Sequence, residues 1–238
     1  MDNELLKITN LEKTFHPSFK LGPINFSVKV GQTIVILGKN GAGKTTFLEL
    51  ITGNLDADLG VITCLGERLV PDAFTLKRSI GYLPQTSYLP RWVTGWELLH
   101  YAASLYQLPR SHVEESFASW DAAGFIHKPL DACSHGMQKR IALSLATIHD
   151  PPLLVLDEPF SGLDLTHIHV LEEKIRGRAE RGRTTIIGTH LAHQSAKLGH
   201  AAYLIKDGLL ESLEGWEQGD LLTKITLVEQ KIEHIKMG

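Results

Sequence analysis

The amino-acid sequence predicts an α/β fold: a mostly parallel sheet at its core, an amino-terminal antiparallel β subdomain and an inserted α-helical subdomain. Three patterns carry that reading. Short apolar runs rich in Val, Ile and Leu recur at Thr33–Leu37, Ile80–Leu83, Leu153–Leu156 and Thr184–Ile187, as expected of strands covered by helices on both faces. Leu5–Leu11 and Ile24–Val30 instead alternate apolar and polar residues, the mark of half-exposed antiparallel strands. Between Gln85 and Cys133 the period becomes helical.

Taken in order, the core elements span about residues 1–85 and 140–210, with the helical subdomain at about 86–139. Within that insert, Trp96–Tyr106 places apolar residues at helical spacing and stops before Pro109. His112–Ala123 supplies a second helix that ends near Gly124. A tail at about 219–238 sets Leu221, Leu222, Ile225, Val228, Ile232 and Ile235 opposite Lys and Glu, an amphipathic helix used for packing or as a dimer element. All of this fits one domain of 238 residues.

Composition narrows the function classes. The formal charge of -3 leaves no excess of Lys and Arg to neutralise phosphates, which argues against a nucleic-acid partner. The basic cluster Lys174–Arg178 reads as a solvated helix end. Two cysteines, Cys64 and Cys133, stand far apart with no disulfide or zinc spacing, and a reducing compartment suits them. No apolar stretch approaches the roughly 18 residues of a membrane span. The start, Met1-Asp2-Asn3-Glu4, is acidic and unlike a leader. The expected location is cytoplasmic, with any membrane role exercised peripherally through another chain.

Gly38-Lys39-Asn40-Gly41-Ala42-Gly43-Lys44-Thr45, followed by Thr46, matches the phosphate-binding pattern GxxxxGK[ST] directly after a predicted strand. Glycines let the loop curl so that backbone N–H groups face phosphate oxygens, and the next helix adds the positive end of its dipole. Lys44 is assigned to the β- and γ-phosphates and the Thr45 hydroxyl to Mg²⁺. The core is therefore of the P-loop NTPase type. Leu153–Leu156 then ends in Asp157-Glu158-Pro159. An aspartate after so apolar a run needs a cation or donors, so Asp157 is a Mg²⁺ residue and Glu158 the candidate base for the attacking water.

From these motifs the chain resembles the ATP-binding cassette (ABC) family over about Leu5 to Leu210. Tyr82-Leu83-Pro84-Gln85 looks like the Q-loop, which implies that Gln85 touches Mg²⁺ and the attacking water. Cys133-Ser134-His135-Gly136-Met137-Gln138 stands where the family has LSGGQ; Ser134 and Gly136 match, while Cys133, His135 and Met137 depart. Ser161-Gly162-Leu163-Asp164 resembles the D-loop, and Thr189-His190 the switch histidine that meets the γ-phosphate. Phe15 lies where the family places an aromatic residue against adenine, with ordinary core packing as the competing reading. His167, His169 and His193 show no metal-ligand spacing and read as solvated.

The resemblance implies an ATPase that binds ATP and Mg²⁺ and forms a homodimer or heterodimer with a second cassette. Each nucleotide would lie between the P-loop of one protomer and Ser134 and Gly136 of the other. It further implies an integral membrane permease as partner, docked near Thr86–Val93, where Tyr88 and Trp92 are candidate contacts. Leu105-Tyr106-Gln107-Leu108-Pro109 is similar to the exporter branch that includes drug, antibiotic and haem cassettes. A soluble, non-transport ABC ATPase, such as an iron–sulfur assembly factor, is the alternative.

Overall fold

The computed structural model describes residues 3–15 and 19–234. Met1, Asp2 and Ile235 lie outside them, as does the side chain of Ile232. The amino-terminal alternation becomes β1 (Glu4–Phe15) and β2 (Phe19–Lys29), antiparallel with Leu6 opposite Val28 and Ile8 opposite Phe26. The fully buried β3 (Thr33–Leu37) runs through the glycine-rich loop into α1 (Lys44–Thr52). Next come β4 (Leu59–Cys64), β5 (Glu67–Arg68), the short α2 (Phe74–Lys77) and β6 (Ile80–Leu83). The insert carries α3 (Gly95–Leu105) and α4 (Arg110–Ala118), and α5 (His135–Thr147) returns the chain to β7 (Leu153–Asp157). The remainder is α6 (Leu165–Glu180), β8 (Thr184–Thr189), α7 (Ala192–Leu198), β9 (Ala201–Lys206), β10 (Leu209–Ser212) and α8 (Leu221–His234).

Two sheets result. One is antiparallel in the order β2-β1-β4-β5; the other runs β10-β9-β3-β8-β7-β6 and is parallel except for β10. Between them lies α1, whose Phe47 meets Phe26 edge-on with ring centroids 5.6 Å apart, and Tyr203 of β9 meets Phe26 at 4.9 Å. Register decides where the site must be. Leu37 pairs with Thr189, Asp157 with Gly188 and Leu83 with Leu156. The carboxyl ends of β3, β8, β7 and β6 therefore share one rim, the position where open α/β sheets bind ligands.

The insert has its own core, in which Leu99, Val113, Phe125 and Leu130 pack with Ile141 of α5. A capping box between Thr94 and Glu97 starts α3. The second helix is Arg110–Ala118, earlier and shorter than the expected His112–Ala123. The chain leaves the helix there because Trp120 turns into the core and Asp121 adopts a φ of 50°.

The solvated reading of Lys174–Arg178 is corrected at two positions. Arg178 is only 5% exposed; it donates to Asp150 Oδ1 at 3.2 Å and to the Pro151 carbonyl at 2.7 Å. Burial pushes the Arg178 pKa down to about 10. Lys174 lies over the Trp120 ring, 5.0 Å from its centroid. Long stems carry these cations across apolar surface to a partner, which residue type alone does not reveal.

Candidate nucleotide site

The P-loop owes its shape to glycines. Gly41 and Gly43 have φ of 82° and 106°, the left-handed region that glycine enters without penalty. A Cβ at Gly43 would stand 2.8 Å from the Phe19 ring. Gly43 also caps α1, whose first-turn N–H groups have no intrahelical acceptors and add to the dipole. Lys44 is buried and folds back over the loop, donating to the Gly38 carbonyl at 2.7 Å and that of Lys39 at 3.2 Å. Over it opens a cleft of ≈ 520 Å³, lined by Asn40, Thr45, Thr46, Gln85, Glu158, Phe15 and Phe19 among others. Ala42 shapes the loop without lining this cleft; its N–H donates to the Lys39 carbonyl at 3.2 Å.

The acidic pair sits where β7 meets that rim. Asp157 is 0% exposed; its Oδ2 accepts from the Thr45 hydroxyl at 2.6 Å, while Oδ1 has no hydrogen-bond partner among the described residues. Burial raises its carboxyl above the usual carboxylate range, against the opposing pull of the Thr45 bond. Glu158 adopts a φ of 44°, a left-handed conformation that costs a non-glycine residue about 1 kcal/mol or more. Its carboxylate is held from three sides. Thr189 Oγ1 donates to Oε2 at 3.2 Å, His190 Nδ1 lies 3.0 Å from Oε1, and Lys44 Nζ is 3.7 Å from Oε1.

Ser134, Gly136 and Asp164 are placed elsewhere. Ser134 caps α5, its Oγ accepting the Met137 N–H at 3.3 Å, which leaves the hydroxyl hydrogen for a further acceptor. A Cβ at Gly136 would stand 2.8 Å from the Gly162 carbonyl oxygen, so the two loops are in close contact. Asp164 caps α6 by accepting the His167 N–H at 2.9 Å. These residues line a second cleft of ≈ 230 Å³, and none of them lines the P-loop cleft of the same chain.

The model of the family described as "ABC transporter" matches residues 21–161, which carry the P-loop, the Q-loop residue, the signature and the acidic pair. The chain belongs to the ABC transporter family. The cassette is similar to the "Nod factor export ATP-binding protein I" of Sinorhizobium fredii, with 32% identity over 85% of this chain and 60% of the relative. It is 33% identical to the "Molybdate/tungstate import ATP-binding protein WtpC" of Pyrococcus horikoshii over 87% of this chain and 61% of that protein. The chain thus spans about 60% of the length of these relatives. A structure of the ATP-binding subunit of an ABC transporter superposes with a TM-score of 0.83 and 25% identity, covering 94% of this chain and 99% of the other. A dimeric post-hydrolysis cassette bound to ADP and Pi shares the fold, with a TM-score of 0.81 over 89% of this chain and 100% of its own, at 23% identity.

The donor set of the cassette fits a magnesium ion accompanying a triphosphate. Oδ1 of Asp157 is a buried acceptor still needing a cation or water, and the Thr45 hydroxyl lies beside the same carboxylate. Gln85, exposed in the loop after β6, lines the cleft as well. Phe15 and Phe19, which line the same cleft, present tilted rings with centroids 6.4 Å apart. Phe15 is 41% exposed, so core packing does not account for it.

Three residues escaped the sequence reading. Phe19 lines the P-loop cleft, and its position close behind Phe15 in the chain was the available signal. Thr189 was seen beside His190, but its fully buried hydroxyl bonded to Glu158 was not foreseen. Lys139 on α5 is buried, and desolvation lowers its ammonium against the attraction of Asp157 and Glu158. A lysine on an amphipathic helix normally signals solvent, so nothing local marked it. The solvated reading of the histidines holds for His193 and His169, which are exposed, and fails for His167, whose side chain is 12% exposed.

Proposed function

We propose that the chain hydrolyses ATP as the motor subunit of a membrane transporter, with two cassettes closing around two nucleotides. The observation that supports it is the division of the motifs between two clefts: the P-loop and Glu158 at one, Ser134, Gly136 and Asp164 at the other. A nucleotide in the first cleft leaves the second group without a ligand unless a second cassette presents one. In this reading the Lys44 ammonium exchanges the carbonyls of Gly38 and Lys39 for phosphate oxygens, a charge-assisted replacement for neutral acceptors. Thr45 and Asp157 hold the magnesium ion, joined by Gln85; when bound, the ion neutralises phosphate charge. Glu158 orients the water and accepts its proton, with His190 and Thr189 fixing the carboxylate. Ser134 and Gly136 offer a hydroxyl and a helix N-terminus to the nucleotide of the partner cassette.

Transport is supported by the family and by the exposed aromatics of the helical insert. Tyr88 and Trp92 are 94% and 82% exposed, as side chains awaiting a partner surface would be. Among the described residues no helix is long and apolar enough to cross a membrane; in this reading an integral permease supplies the path. The cassette would sit on the cytoplasmic face of that permease. Export is the favoured direction, on the similarity of Leu105–Pro109 to the exporter branch and the Nod factor export relative. No observation favours the soluble iron–sulfur assembly alternative.

The test is Glu158→Gln. The variant binds Mg-ATP, turns it over at a small fraction of the wild-type rate and accumulates as an ATP-dependent dimer in light scattering. Wild-type turnover removes Glu158 from the chemistry, and a strict monomer with bound ATP overturns the two-cleft arrangement.

A further inference from the structure

One of the histidines read as solvated is built into the second cleft. His167 Nδ1 lies 2.8 Å from Asp164 Oδ1, and its Nε2 lies 2.7 Å from Arg140 Nη1 on α5. The partners dictate the tautomer. A guanidinium can only donate, so Nε2 must be the bare acceptor and Nδ1 must carry the hydrogen it gives to Asp164. Arg140 does not end the chain of contacts. The same Nη1 approaches the Trp120 and Asp121 carbonyls of the helical insert at 3.2 and 2.9 Å. The guanidinium also lies over the Phe125 ring, 4.5 Å from its centroid.

We infer that His167 is a positioning residue: as the neutral Nδ1–H tautomer it latches the Asp164 loop to Arg140. The Ser134–Gly136 turn, the Asp164 loop and the helical insert then move as one body. The inference rests on the two-cleft reading, because a rigid second cleft matters only if a partner's nucleotide enters it. The latch closes only with neutral His167. A proton on Nε2 would replace an N–H···N bond with two facing cations. The charged and titratable groups facing the ring are Asp164 on its own helix, Arg140 from α5 and, behind Arg140, Asp121 at 3.8 Å. His135, the departure from the signature pattern, lies nearby against Gly162.

Steady-state ATPase measurements on wild type, His167→Leu and His167→Gln at one fixed pH test the latch. His167→Leu, which fills the space but bonds to neither partner, lowers kcat about tenfold, because Asp164 is largely exposed and only part of the lost bonding reaches the chemical step. Its KM for ATP stays within about twofold, because the P-loop cradle is untouched. His167→Gln, with a donor and an acceptor on one amide, recovers kcat to within about threefold. Undiminished kcat in the Leu variant, or no recovery of kcat in the Gln variant, overturns the latch. The same substitutions in the Glu158→Gln background separate the two claims. An ATP-dependent dimer with His167→Leu shows that the two-cleft arrangement stands whatever becomes of the latch. Absence of a dimer with His167 intact removes the arrangement and the latch together.

Discussion

Thr189→Val isolates one contact on Glu158, the carboxylate proposed to carry the chemistry. The two side chains are nearly isosteric and Thr189 is fully buried, so no cavity opens and only the hydroxyl is lost. That hydroxyl donates to Glu158 Oε2 at 3.2 Å and accepts the Leu191 N–H at 3.2 Å. A hydrogen bond to a charged group contributes about 1.5–3 kcal/mol, and the long separation selects the lower end, about 1.5. Leu191 is half-buried, so water can partly satisfy its N–H. Glu158 keeps His190 and Lys44 but loses the one contact on Oε2, and its carboxylate gains freedom to rotate. The expectation is a fall of about tenfold in kcat with KM for ATP nearly unchanged. For a domain of this size, thermal unfolding should drop by about 3–6 °C. Phosphate-release kinetics and a melting curve measure the two effects, and Thr189→Ser, which keeps the hydroxyl, should restore both. A Val variant with wild-type kcat would refute the argument that this bond positions the base, even if the melting temperature fell.

Lys44→Ala should abolish detectable Mg-ATP binding in equilibrium dialysis while leaving the fold intact by circular dichroism, since the ammonium is the one cation buried within the P-loop. Phe15→Ala should weaken nucleotide binding by about 1–3 kcal/mol, or roughly 5- to 150-fold, with rescue by Trp; a loss seen only in Phe19→Ala would transfer the stacking role to that ring. Asp157→Asn should stabilise the nucleotide-free protein near neutral pH. Folding raises the Asp157 pKa, so its ionised form opposes folding above that value and the opposition disappears as pH falls and the carboxyl takes up its proton. Denaturant titrations should therefore show the gain of the Asn variant shrinking toward acid pH, and the variant should lose the extra stability that Mg-ATP confers on wild type.

Much of the frame was legible because its physics is local. Thr33–Leu37, Ile80–Leu83, Leu153–Leu156 and Thr184–Ile187 bury both faces and leave an unbroken apolar run, and each forms a strand of the parallel sheet. β4 gave no such signal: although it lies between β1 and the two-residue β5 in the other sheet, Leu59 and Val61 are exposed and the run never alternates cleanly. The misreadings share another cause. Arg178 finds Asp150 at a separation of 28 residues, and His167 finds Arg140 at 27. Residue type names a donor, but only the tertiary fold supplies its acceptor, and until then a charged side chain on a helix looks solvated.

The same limit explains where the site declares itself once the fold is known. Glu158 occupies a left-handed backbone conformation, Asp157 buries an unpartnered oxygen and Lys44 hides an ammonium against backbone carbonyls. Departures of each kind occur elsewhere, at Asp121, His149 and Arg178 for example, but these three fall together on one rim, where Asp157 bonds Thr45 and Glu158 meets Thr189, His190 and Lys44. Three costly features side by side at the carboxyl ends of β3, β7 and β8 form an arrangement that a charged ligand would relieve under the proposed function. Relief of that kind gives the ligand a differential free energy between open and closed states, without which a nucleotide could bind tightly and still move nothing.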